Sequence, residues 1–82
     1  MLSPSQCRAA RALLNWNQQK LADTARVGVA TIRLFEAGDH ESRRVTLDAI
    51  RRSLEVAGVE FIDENGGGSG VRLRKARQKK RP

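Results

Sequence analysis

The side chains able to break or make bonds are few: one cysteine (Cys7), one histidine (His40) and nine carboxylates scattered through 82 residues. From these no nucleophile and base pair can be assembled. Cys7 and His40 cannot supply a zinc site either, so neither a metal nor a cofactor is expected and an enzyme is a poor fit. The glycine run Gly66-Gly67-Gly68 lacks the Lys-Ser/Thr ending of a phosphate loop and reads as a flexible turn.

The chemistry that remains is recognition. On a helix over Val29 to Ala37, Ile32 and Phe35 fall together as a buried stripe, while Ala30, Arg33 and Leu34 point the opposite way with Val29 at the margin. Such a face is slim enough for a DNA major groove about 12 Å wide. Arg33 can give a guanine edge two hydrogen bonds, and Val29, Ala30 and Leu34 can touch thymine methyls. The bland alternative for Arg33 is an ordinary solvated charge.

The elements that would position this face can be read outward from it. Gly28 stands at the cap of the helix, and Gly38 is its left-handed terminator. Ahead of it Asn17 caps a short helix, Gln18 to Ala25, with Leu21 and Ala22 inward and Gln18, Lys20 and Asp23 outward. The turn Arg26-Val27-Gly28 joins the two as a helix-turn-helix. The first helix starts at Ser3-Pro4-Ser5-Gln6, a capping box with proline at the first turn, and runs to about Asn15 with Cys7, Ala10 and Leu14 inward and Arg8 and Ala12 outward. Trp16 is expected to pack at the corner that follows, and Cys7 to be a small core residue.

Beyond a polar loop from Gly38 to Val45, Thr46 is expected to cap a fourth helix built on Leu47, Ile50, Leu54 and Ala57 and ended by Gly58. The period then becomes alternating: Val59 and Phe61 share one side of a strand, and Val71 and Leu73 one side of another. The expected architecture is mainly α, a four-helix phage-repressor-like helix-turn-helix domain over residues 1–58 with a C-terminal β-hairpin over 59–74. Residues 75–82 form a basic tail expected to be disordered in isolation. An edge strand showing Val and Phe would be a liability in a monomer, so Val59, Phe61 and Ile62 are candidate dimer contacts.

The net charge of +7 is unevenly placed. Residues 1–70 carry nine Lys/Arg against nine Asp/Glu, and residues 71–82 carry seven against none. Within the neutral part, residues 1–44 are net basic and 45–70 net acidic. The tail is either a phosphate tether, whose contribution would fall steeply with salt, or a solubilising terminus. Few aromatics argue against stacking on single-stranded RNA. No apolar stretch approaches a membrane span and no signal peptide is evident, so a cytoplasmic, nucleoid-associated protein is expected.

The run Gln18-Gln19-Lys20-Leu21-Ala22, then Val27-Gly28-Val29-Ala30-Thr31-Ile32 and Phe35-Glu36-Ala37-Gly38, resembles the XRE family, the Cro and phage-repressor-like helix-turn-helix proteins. The likeness covers roughly residues 6 to 57. It implies a dimeric, sequence-specific regulator of transcription, most often a repressor, on an inverted-repeat operator in double-stranded DNA. The base-reading positions it implies are Val29, Ala30, Arg33 and Leu34. Contacts to phosphate or the minor groove would fall to Asn17, Gln18, Gln19, Arg26, Gly28, Thr31, Arg43 and Arg44, and Arg11 with Glu36 would form a structural ion pair holding helix 1 to helix 3. The chain departs from the family at Arg26, where glycine is usual, and in ending on strands where a fifth helix is common. Two further readings stay open: an antitoxin whose tail wraps a toxin or other antagonist protein, and a general nucleic-acid adaptor driven by the tail.

Overall fold

The computed structural model describes residues 2–38, 43–64 and 66–74, and shows a mainly helical chain that ends in a small antiparallel hairpin. The elements are α1 (Pro4–Leu14), α2 (Gln18–Ala25), α3 (Val29–Ala37), α4 (Arg44–Val56), β1 (Val59–Ile62) and β2 (Gly70–Leu73). His40 and the basic tail from Lys75 onward lie outside the described residues. Among those described, no helix is long and apolar enough to cross a membrane.

Local chemistry accounts for the helix ends. At α1 both halves of the capping box form: the Gln6 amide N–H donates to Ser3 Oγ, and Ser3 N–H donates to Gln6 Oε1, each at 3.1 Å. Leu2 just before the cap and Cys7 at the fourth helical position are both buried, the arrangement of a hydrophobic staple. The helix stops because Asn15 turns left-handed (φ 62°), which lets the Trp16 N–H reach back to the Arg11 carbonyl at 2.9 Å. The same device ends α2: Arg26 adopts φ 61° and the Val27 N–H donates to the Ala22 carbonyl at 3.0 Å. Arg26 thus takes the left-handed conformation that glycine would adopt without cost.

The start of α4 differs from expectation. Thr46 is not its cap; the helix begins at Arg44, and the extended Arg43 hands its carbonyl to the N–H groups of Thr46 and Leu47, each at 3.0 Å. Nothing in Arg44-Val45 blocks a helix, so the turn winds back to the last residue held in extended backbone. Neither Arg43 nor any acidic side chain caps that first turn.

One core joins all six elements. Cys7 and Ala10 of α1, Leu21, Ala22 and Ala25 of α2, Ile32 and Phe35 of α3 and Leu47, Ile50 and Leu54 of α4 are buried together with Val59 of β1, and Leu14, Trp16, Val29, Phe61 and Val71 pack on its margin. The hairpin pairs Val59 with Leu73, Glu60 with Arg72, Phe61 with Val71 and Ile62 with Gly70. Val59 and Phe61 were expected to be exposed on one face, and that expectation is corrected. Val59 is fully buried in the chain's own core, Phe61 is half-buried beneath the Arg51 guanidinium 4.9 Å from its ring, and Ile62 is half-buried. The alternating pattern turns Val59 and Phe61 onto the helices and Ile62 to the other face of the strand. Leu73, expected on the same side of its strand as Val71, is 48% exposed although its ladder partner Val59 is fully buried.

Gln6 explains how the hairpin is held. Its Nε2 donates to the carbonyls of Gly70 (3.1 Å) and Ile62 (3.4 Å), the last residue pair of the ladder, so one buried amide binds both strands to α1.

Candidate nucleic-acid interface

The α3 face expected to be outward is outward. Ala30, Arg33, Leu34 and Ala37 are exposed, Val29 and Thr31 are half-buried, and Ile32 and Phe35 are buried. Gly28 caps the helix in ordinary extended backbone (φ −70°) without a side-chain hydrogen bond. A β-carbon there would meet only Thr31 Oγ1 at 3.8 Å, an ordinary contact, so neither backbone nor packing demands glycine.

The orientation of this face is set from behind by Glu36, only 3% exposed. Arg11 grips its carboxylate with two parallel bonds, Nε to Oε2 and Nη2 to Oε1, both 2.8 Å. Gln18 Nε2 donates to Oε1 at 3.0 Å and the Cys7 thiol to Oε2 at 3.1 Å. Arg8 donates to the Glu36 backbone carbonyl near the end of α3, and Arg11 Nη1 caps the Trp16 carbonyl at 3.0 Å. Two elements, α1 and α2, therefore converge on one acid of α3. Burial pushes the Glu36 carboxyl up, but the hydrogen bonds from Arg11, then Gln18 and Cys7, outweigh it and hold the group below the ordinary carboxylate range. Burial, followed by the bond to Glu36, pushes the Cys7 thiol up, so it stays protonated.

The α2 positions are less open than expected. Gln18, placed outward in the sequence reading, is half-buried and turned back onto Glu36, where its amide adds a second donor to the Oε1 that Arg11 already bonds, as each carboxylate oxygen can accept more than one hydrogen bond. Asn17 Oδ1 accepts the Lys20 N–H at 2.7 Å as the helix cap, and Gln19 donates to Asp23 at 2.8 Å on the surface. Arg26 is exposed at the turn between α2 and α3. Arg43 and Arg44 are exposed at the start of α4, where the helix dipole adds to their positive charge.

A shallow open depression brings the exposed Arg8 and Arg33 onto one surface, with Arg11, Gln18, Leu34, Glu36 and Ala37 forming the rest of its lining. Three arginines face one acid there, leaving the surface basic. Arg8 is the residue that sequence reasoning missed, taken only as outward-facing; the signal available was its spacing of three from Arg11, which puts both on one side of α1. Among the described residues no group of acids, His and Cys could hold a metal.

No protein-family model matches the chain, and no curated protein matches it either.

Proposed function

We propose that the chain is a sequence-specific regulator of transcription, most simply a repressor, which binds double-stranded DNA in the cytoplasm as a dimer on an inverted repeat. In this reading α2, the Arg26 turn and α3 act as a helix-turn-helix. The reading is carried by the outer face of α3: a slim surface of Ala30, Arg33 and Leu34, rigidly backed by Ile32, Phe35 and the Glu36 cluster. Arg33 gives two hydrogen bonds to a guanine, and Ala30 and Leu34, with Val29 at the margin, meet thymine methyls. Arg8, Arg26, Arg43 and Arg44 lie toward phosphates; Asn17, Gln19 and Thr31 are the weaker candidates there, and Gln18 acts chiefly from behind by holding Glu36.

A glycine at position 28 that the fold does not require leaves the N–H groups at the start of α3 open to close approach by a phosphate oxygen. Two arginines at the uncapped start of α4 likewise favour a nearby anion. Each protomer would enter one major groove, with half-sites about 10 base pairs apart or a multiple of that.

The test is selection of bound duplexes from a random library at about 0.15 M salt, using the whole chain and a version ending at Arg74. Enrichment of an inverted repeat by both is expected, and Arg33→Ala should cost about 1–3 kcal/mol and relax one base position. No enriched sequence, with binding lost on truncation, would overturn readout by α3 in favour of binding driven by the tail.

A further inference from the structure

The outer face of α4 carries the two most exposed large apolar side chains among the described residues: Val45 at 72% and Val56 at 80%, against at most 48% for the others. They are eleven residues apart, so at 100° per residue they lie within about 20° of one another, directly opposite the buried Leu47, Ile50 and Leu54. Between them on the same stripe stand Ala49, small enough for a second helix to approach closely, and the exposed Asp48 and Arg52. Asp48 and Arg52 are spaced to pair within the helix, as Arg51 does with Glu55 at 3.0 Å, yet no such ion pair forms among the described residues.

The order Val, Asp, Ala, Arg, Val is self-complementary when reversed. If two α4 helices lie antiparallel with the two-fold axis midway between Ile50 and Arg51, Val45 stands level with the partner's Val56 and Ala49 level with the partner's Arg52. Asp48 then falls within one residue rise, about 1.5 Å along the axis, of the partner's Arg52 and on the same side of the interface. Both ends of the stripe bury a valine pair, and two ion pairs fix the register. An isologous contact needs this property, since every residue must find its complement on an identical surface. We infer that α4 is the dimerisation surface of this chain, its partner a second copy packed antiparallel through Val45, Asp48, Ala49, Arg52 and Val56. The inference supplies the interface of the dimer proposed above but rests on the α4 surface alone.

Sedimentation equilibrium of the whole chain without DNA, from micromolar to millimolar concentration, tests it. The mass should rise from one chain to two. Asp48→Arg and Arg52→Asp each place like charges opposite one another and should weaken association roughly tenfold or more. An equimolar mixture of the two variants matches opposite charges again and should recover the two-chain mass, while circular dichroism verifies that each variant alone keeps its helices. A wild-type chain that stays monomeric throughout, reversals that leave the association unchanged, or a mixture that fails to recover it would each overturn the proposal. Because DNA is absent, these outcomes are independent of whether α3 reads a sequence.

Discussion

Adjacent residues of α1 hold two different parts of the molecule by two different chemistries. Toward α3, Cys7 and its neighbours Arg8 and Arg11 bind Glu36, so that junction depends on charge. Toward the hairpin, Gln6 offers an uncharged amide to two carbonyls. The first junction is strong but conditional on ionisation, and the second is weaker and indifferent to it. The face proposed to read DNA is therefore fixed by the junction that acid can dissolve, and the hairpin by the one it cannot.

The largest expected effect comes from breaking the charged junction. Glu36→Gln keeps the shape but leaves the Arg11 guanidinium, 18% exposed, without its anion, and should cost about 2–3 kcal/mol in urea unfolding. The same junction sets an acid limit. Because the Glu36 pKa is depressed in the folded chain, its contribution is fully present above its ordinary value of 4.5 and is lost as pH falls through the lower folded value. The wild-type melting temperature should therefore drop on acidification below about pH 4.5, with a shallower slope in Glu36→Gln; equal slopes would remove the carboxylate from this role. Gln6→Leu should cost about 1–2 kcal/mol through the lost side-chain half of the capping box and the two hairpin bonds, the Ser3 cap itself being kept. Amide protection should then fall at Val59 to Ile62 more than in α3, and the ratio of mutant to wild-type protection, compared at each pH, should change little between about pH 4 and 7. The smallest effect is a gain: Arg26→Gly relieves a left-handed non-glycine residue and should stabilise by up to about 1 kcal/mol in thermal unfolding.

Most of this architecture was legible because the signals were local. The Ser3 and Asn17 caps, the Gly28 and Gly38 boundaries of α3, the helical spacing of Leu47, Ile50 and Leu54, and the change to alternation at Val59 each depend on neighbours within a few residues. The outward placement of Ala30, Arg33 and Leu34 followed from periodicity in the same way. What was missed is long-range. Gln6 had a sufficient local role as half of a capping box, and its second role lies 56 and 64 residues away. Gln18 looked like a surface residue because its partner is contributed by α3. The two faces of the hairpin could be told apart by alternation, but which of them meets the helices is decided only by packing, and so Val59 was assigned to the outside. The α4 stripe is not legible from periodicity, because Leu47, Ile50 and Leu54 set the helical pattern and Val45 and Val56 stand opposite it as isolated apolar residues.

The buried thiol has a practical consequence for labelling. Thiol reagents attack the thiolate, and Cys7, fully enclosed and kept protonated beside Glu36, offers neither access nor the reactive form. A single cysteine introduced on an exposed position, such as Ala30 or Val56, would therefore react alone in the native chain. Fluorophores or spin labels could then report on either surface with the native Cys7 left in place.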